Sequence, residues 1–263
     1  VNIEERQDRI ADLVRTRKRV KSHVLTDMFG VSLETIRKDL QELQARGVLI
    51  RVHGGAKAAQ DGHESAYQRR LVENMAAKEA IARLAAEGVS EGSTVYLDYG
   101  TTTYALASAL VRSGRELTVL TNSLPIVNRL AESDRISTVV LGGILRRNER
   151  SLFGPIAEST LRTVYMDAGF FGCAGIHPTA GLTNHHPIEA AASRLAMSHC
   201  STVTVLADGD KLETIAHNQV AGIHDVDLLI TDSAPSAEFS AELDSADVTV
   251  LIAPVPEEPG SPT

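Results

Sequence analysis

The stretch Tyr96–Leu106, YLDYGTTTYAL, reads as an apolar strand that runs into a small Gly/Thr turn and then into the first turn of a helix. A turn of that make-up at a helix N-terminus can cradle an anion, because the first-turn amides have no partner within the helix and the helix dipole adds positive potential there. Outward from this stretch the alternation recurs. Apolar strands are expected at TVYLD, LTVLT, STVVLG, DAGFFG, TVTVLAD, DLLIT and VTVLI, with helical stretches such as TTTYALASALV and PIEAAASRLAMSHC between most of them. Strands that are apolar throughout and alternate with helices predict a mainly parallel sheet covered on both faces, an α/β body over 75–255.

In open α/β sheets, ligands bind beyond the C-terminal ends of the strands. Small and polar residues collect at those ends: Asp98 with Gly100, Thr101, Thr102 and Thr103; Thr121, Asn122 and Ser123; Gly142 and Gly143; Gly172–Gly175; and Asp208–Lys211. Each group alone is ordinary turn chemistry, but five at one sheet edge point to a binding site. Glycine lets the backbone approach a ligand, threonine hydroxyls and amides donate to phosphate oxygens, and Lys211 supplies charge. Asp98 and Asn122 are then expected to fix sugar hydroxyls.

Charge divides the chain. Through Lys57 there are 12 Lys/Arg against 8 Asp/Glu, and in the remainder 14 against 26, so a head of +4 precedes a body of −12 within a total of −8. The polar stretch 58–74 is expected to link the two, and 256–263 to form a frayed tail. Cys173 and Cys200 are the only cysteines and have no metal-ligand spacing, so neither a disulfide scaffold nor a zinc site is expected, and both read as buried filler in a reduced compartment. No cofactor is implied. His185 and His186 are adjacent rather than spaced along a helix, which favours contact with a ligand hydroxyl over a metal. No apolar run approaches a membrane span, and charge from Glu4 onward is unlike a signal peptide, so a cytoplasmic protein with no membrane partner is expected. Tryptophan is absent and aromatics are 4%, which argues against stacking on single-stranded nucleic acid.

In the head, Ile10, Leu13 and Val14 mark the buried face of a first helix between Glu4 and Arg15. The run RTRKRVK follows, with Arg15, Arg17, Lys18, Arg19 and Lys21, either a solvated loop or a contact to phosphates. Next, SHVLTDMFGVSLETIRKDLQELQARG gives a short helix, a turn at Gly30-Val31 and a longer helix capped by Ser32, ending at Gly47. On the longer helix Ile36, Leu40 and Leu43 face the core, while Thr35, Arg37, Lys38 and Gln41 face away. This is the helix-turn-helix plan, whose second helix reads base edges. VLIRVHGGAK adds a wing with Arg51, His53 and Lys57 near the DNA backbone or minor groove. A three-helix domain serving protein contacts is the weaker reading.

RQDRIADLVRTRKRVKSHVLTDMFGVSLETIRKDLQELQARGVLIRVHGGA resembles the N-terminal winged helix-turn-helix of DeoR-type bacterial transcriptional regulators, most specifically in SLETIRKDL and RVHGGA. LDYGTTTYALASAL, LTVLTNSLPIVNRLA, VVLGGILR, SLFGPIAESTL, MDAGFFGCAGI, GLT, LADGDK and DLLITD resemble, in order, the sensor domain of that family, whose fold is like that of ribose-5-phosphate isomerase. The resemblance implies a pocket for phosphorylated sugars or sugar acids, with ligand roles for Gly100–Thr103, Asn122, Gly142, Gly143 and Lys211, and it matches Arg146 to an arginine of the pattern. The chain departs from it at Ser193-Arg194, where many relatives have Lys-Arg, and at Gly209-Asp210-Lys211-Leu212, where a small residue has become an acid and an aromatic an aliphatic.

The function implied is a sequence-specific regulator, a repressor of a carbohydrate catabolism operon that binds double-stranded operator DNA as a homo-oligomer and is released by a phosphorylated sugar. It is not expected to be an enzyme. The alternative is a sugar-phosphate isomerase or transferase with a DNA-binding appendage, for which Asp98, Glu189 and Asp208 are the available bases. A third reading leaves the body with oligomerisation alone.

Overall fold

The chain divides into two units, Val1–Ser65 and Ala66–Thr263, and the computed structural model describes residues 3–17, 19–45, 48–52, 54–58 and 67–255. In the first unit α1 (Ile3–Arg17) is followed by β1 (Arg19–Lys21), α2 (Ser22–Phe29), α3 (Leu33–Ala45), β2 (Leu49–Val52) and β3 (Gly55–Ala58). Its core is small and apolar: Ile10 and Val14 from α1, Leu25 from α2, and Ile36, Leu40 and Leu43 from α3 close over Val20, Leu49 and Ala56. The basic run is not a plain loop. Arg19–Lys21 pair antiparallel with β3, which pairs with β2, so the wing has three strands in the order β1-β3-β2. Buried Val20 between exposed Arg19 and Lys21 gives the period of two that a three-residue strand shows too briefly to be read.

The second unit contains α4 (Tyr67–Val72), α5 (Met75–Glu87), β4 (Thr94–Leu97), α6 (Thr101–Ser113), β5 (Leu117–Thr121), α7 (Leu124–Leu130), β6 (Ile136–Val140), β7 (Ile144–Arg146), β8 (Ser151–Phe153), α8 (Pro155–Leu161), β9 (Ala168–Gly172), β10 (Gly175–His177), β11 (Gly181–Asn184), α9 (Pro187–Met197), β12 (Val203–Leu206), β13 (Asn218–Ala221), β14 (Leu228–Thr231), α10 (Ala237–Ser245) and β15 (Thr249–Ile252). Seven strands form one parallel sheet in the order β15-β14-β12-β9-β4-β5-β6. They are the seven apolar runs of the sequence. The period of two sorts their side chains between two cores. Val95, Leu97, Val119, Phe170, Leu206 and Ile230 pack with α5, α6 and α7, whereas Tyr96, Leu120, Phe171, Val205 and Leu229 pack with α8, α9 and α10. Covering both faces is what allows strands without a polar side.

Five further strands were not legible as apolar runs. β7 and β8 make an antiparallel hairpin, and β10, β11 and β13 a small antiparallel sheet. Gly143 enters the hairpin under tight constraint: at φ +144° its Cα lies so near Phe153 that a Cβ would stand 2.4 Å from the Phe153 carbonyl oxygen. Of the stretch expected to link the units, 59–66 lie outside the described residues, but Tyr67–Val72 form a helix of the second unit with Tyr67 buried. Arg70 pairs with the buried Glu149, and Lys78 donates to the carbonyl oxygens of Arg70 and Glu73 at 2.5 and 2.6 Å, closing the C-terminal end of α4. The tail at 256–263 lies outside the described residues.

Candidate functional site

Helices α2 and α3 meet at a turn that Gly30 opens in the left-handed conformation (φ 64°), its N–H donating to the Thr26 carbonyl at 2.9 Å. Ser32 Oγ then accepts the Thr35 N–H at 3.1 Å and lies 2.9 Å from Thr35 Oγ1, so these two hydroxyls fix the start of α3. With Ile36, Leu40 and Leu43 buried, Arg37, Lys38 and Gln41 stand exposed on the opposite side and Thr35 at its border. Among the described residues Arg37 meets an acid only in an exposed contact to Glu34 at 3.9 Å, too weak to fix it. In the wing Arg19 lies directly across from Lys57. Arg17, Arg19 and Arg51 are exposed; Lys18, Gly47, His53 and the Arg15 side chain lie outside the described residues.

One feature of α3 went unread. Asp39, 3% exposed, accepts Arg6 Nε at 2.7 Å, Arg6 Nη2 at 3.2 Å and Gln7 Nε2 at 3.2 Å. This buried clamp ties α1 to the helix that carries Arg37 and Lys38. The signal was present in the spacing: Asp39 falls three residues after Ile36, and Arg6 and Gln7 fall four and three before Ile10, on the buried faces.

In the second unit the chain leaves β4 in opposite directions. β4, β5 and β6 run toward one edge, and β9, β12, β14 and β15 toward the other. The switch point is therefore between β4 and β9, where such sheets open a crevice at their C-terminal ends. Gly100–Thr103 start α6 on one side of it and Gly172–Ala174 flank the other; a Cβ on Gly172 would lie 3.6 Å from the Tyr99 carbonyl oxygen. The Gly100 carbonyl accepts both the Tyr104 N–H and the Thr103 hydroxyl at 3.1 Å, so Thr103 turns back on the turn itself. The amides of residues 101–103 precede the first intrahelical bond and point out of the helix. Thr121 Oγ1 accepts the Ser123 N–H at 3.1 Å, and Asn122, next to it, is buried with its Oδ1 unpartnered.

Asp98 is placed differently from the expectation that it fixes a sugar hydroxyl. It shares a strand face with Tyr96, toward α9, and is fully buried; its Oδ1 accepts Tyr96 OH at 3.2 Å and its Oδ2 accepts Ser193 Oγ at 2.6 Å. Burial pushes its carboxyl up to about 7 against the opposing effect of those donors. Ser193, where the resembled pattern carries lysine, thus leaves Asp98 with neutral partners. Beside it, Glu189 at the start of α9 accepts Tyr99 OH at 3.2 Å and is ion-paired with Arg146 of β7. Arg146 therefore reaches the crevice as one half of a nearly neutral pair.

Lys211 ends the short turn Gly209–Lys211 after β12, two strands from β4, or about 10 Å at the usual strand spacing. It and Asp208 lie close enough to Cys173 for their charges to act on the thiol. Asn74 Nδ2 donates to Asp210 at 2.8 Å, so the acid that departs from the family pattern is bound to the start of α5. Gly142 lies against Ile156, and Gly143 against Phe153, at the entry to the β7–β8 hairpin. His186 caps α9, its Nδ1 accepting the Ile188 N–H at 3.4 Å, while the His185 ring stands 6.3 Å from that of His217. Among the described residues no group of three or more His, Cys, Asp or Glu is placed to hold a metal. Cys173 and Cys200 are free and only partly buried, and burial still pushes both thiols up to about 12. Among the described residues no helix is long and apolar enough to cross a membrane.

Comparison with known proteins fits this two-part architecture. The DeoR-like helix-turn-helix domain model matches residues 6–61, and the DeoR C terminal sensor domain model matches residues 73–233. The HTH-type transcriptional regulator GlpR of Haloferax volcanii is 37% identical, covering 94% of this chain and 96% of its own. The HTH-type transcriptional repressor GlcR of Bacillus subtilis is 32% identical, over 95% and 96%. Among solved structures, ribose 5-phosphate isomerase A from Neisseria gonorrhoeae shows a TM-score of 0.39 and 18% identity over 51% of this chain and 52% of that one, a likeness too slight to speak of activity. The chain belongs to the DeoR family of transcriptional regulators.

Proposed function

We propose that the chain is a cytoplasmic repressor of a carbohydrate catabolism operon, which binds paired half-sites in double-stranded DNA as a homo-oligomer and is released by a phosphorylated sugar. The exposed Arg37, Lys38 and Gln41 over a buried Ile36–Leu40–Leu43 stripe carry the DNA half of this reading. The α6 turn at the switch point, with Lys211 across it, supports an anionic effector. The name of GlcR, a repressor, supports the sign of regulation. Paired half-sites follow from the way helix-turn-helix modules dock, one per successive major-groove face.

DNA affinity is the test of the head. On a fragment of its own promoter region, Arg37→Ala is expected to weaken binding by about 1–3 kcal/mol and to relax the choice of base at one position. Lys38→Ala, if it meets a phosphate, is expected to weaken binding to all sequences alike and to flatten the slope of log K against log salt by about 1. Retention of full affinity by both variants would remove the assignment of α3 as the reading helix.

Enzymatic turnover has less support. Of the three carboxylates open to a base's role, Asp98 is engaged by Tyr96 and Ser193 and Glu189 by Arg146 and Tyr99, while Asp208 has Asn74 Nδ2 at 3.4 Å. Incubation with ribose 5-phosphate, followed by NMR, is expected to return the substrate unchanged.

A further inference from the structure

The loop after β5, whose Thr121, Asn122 and Ser123 the sequence places at the strand ends, meets the start of β8 in a single antiparallel bridge, Ser123 against Ser151. The Leu124 N–H donates to the Arg150 carbonyl at 3.0 Å and the Leu152 N–H to the Asn122 carbonyl at 2.8 Å. Bonds flanking a pair in this way leave the two residues between them unbonded to each other, with Cα atoms about 4.5 Å apart and side chains on one face. Both serines are 0% exposed, and among the described residues neither hydroxyl has a hydrogen-bond partner. Two buried hydroxyls side by side without partners are costly, since each forgoes its bonds to water.

The same face continues across the hairpin. Arg146 is the register partner of Ser151, so Ser123, Ser151 and Arg146 form a row over three chain segments. Phe153, two residues on and hence on that face, packs edge-on against the Tyr99 ring at 5.4 Å. Tyr99 in turn donates to Glu189, the partner of Arg146, and the next residue is Gly100 of the α6 turn. The row thus flanks the anion-binding turn without duplicating it. Its chemistry is different, because serine hydroxyls are neutral and both donate and accept, and the cation beside them is matched by Glu189.

From this we infer that Ser123 and Ser151 are a subsite for the hydroxyl-bearing end of a phosphorylated sugar or polyol whose phosphate sits at the α6 turn. The inference rests on the reading of the body as a sugar-phosphate sensor. Each serine accepts a hydrogen bond from, and donates one to, a hydroxyl of the ligand, which satisfies the pair only when such a molecule is bound. Ser151 thereby becomes a specificity residue, distinguishing polyhydroxylated phosphates from phosphate itself.

The test is calorimetric titration of the full chain and of Ser123→Ala and Ser151→Ala with inorganic phosphate, glycerol 3-phosphate, ribose 5-phosphate, fructose 1-phosphate and glucose 6-phosphate, with the melting temperature of each free protein. For whichever sugar phosphate the parent chain binds best, each substitution is expected to weaken binding about three- to tenfold, the worth of one hydrogen bond. Phosphate affinity should be unchanged, and the free variants should melt no lower than the parent, since no protein bond is lost. Unchanged sugar-phosphate affinity in both variants would overturn the subsite, as would a fall in melting temperature alongside the loss of affinity. A parent chain that binds phosphate but prefers no sugar phosphate also overturns it while leaving the anion turn standing. Binding of none of the five overturns the sensor reading with it.

Discussion

Replacing Asp39 by alanine is expected to lower the stability of the first unit by about 3–5 kcal/mol, the usual consequence of stranding one member of a buried ion pair. Arg6 Nε and Nη2 both donate to Asp39, and the pair's side chains are 8% and 4% exposed. A unit of 65 residues has about 3–10 kcal/mol of stability in all, so the loss removes about a third of it or more, and all of it at the lower end. DNA binding should weaken with it although no residue on the exposed face of α3 has changed. Hydrogen exchange locates the effect: amides of α1 and α3 are expected to lose protection, while those of β4 and β9 keep theirs. Replacing Arg6 and Asp39 together by methionine and leucine should restore most of the stability, because an apolar pair of similar volume replaces a buried ionic one at little cost. Retention of α3 protection in Asp39→Ala would show that the clamp does not hold the reading helix.

The second large effect is a pH dependence centred on Asp98. Its carboxyl is pushed up to about 7 by burial in the folded chain, against about 3.9 in an unfolded one. Between those values the folded state holds a proton that the unfolded state has released, so stability falls as pH rises through the window. From pH 5 to pH 8 the second unit is expected to lose about 3 kcal/mol through this group. Asp98→Asn, which cannot ionise, should show a curve flatter by that amount, and Ser193→Lys should reverse the slope by supplying a cation to the carboxylate. Denaturant midpoints measured at pH 5, 6, 7 and 8 decide it; parallel curves for the parent chain and Asp98→Asn would show that Asp98 does not titrate there.

What could be read from the sequence, and what could not, follows from how each element is buried. The inner strands of the main sheet, β14, β12, β9, β4 and β5, are covered on both faces and so appear as unbroken apolar runs, the edge strands β6 and β15 keep the apolar composition while partly exposed, and the loops after the strands lie at the crevice by topology. Strands β1, β7, β8, β10, β11 and β13 have three or four residues and carry Gly, Arg, His, Asn or Ser, and a period of two cannot declare itself over so short a span. The same obscurity hid Ser151, whose importance arises from a partner far away in the chain. α4 reads as linker in the sequence because its Arg69, Arg70 and Gln68 look solvated, yet Arg70 finds the buried Glu149 across the fold. The internal partners of Asp98 are hidden for a plainer reason. Asp98 ends an apolar strand, where the next residue turns toward the crevice, but strand alternation puts its own side chain with Tyr96 on the α9 side. Ser193 was legible as a departure from the family pattern, and only the structure connects it to Asp98.

On the proposed function, a small phosphorylated metabolite bound in the body governs DNA binding by the head. Fluorescence anisotropy of a labelled promoter fragment, titrated with the full chain at fixed salt in the presence of each member of a sugar-phosphate panel, tests it directly. At least one sugar phosphate is expected to weaken binding by about 5- to 150-fold, the usual range of coupling between two sites, while inorganic phosphate and the unphosphorylated sugars do much less. Binding to the fragment that stays the same across the whole panel, with the chain shown to be folded and DNA-competent, would contradict it.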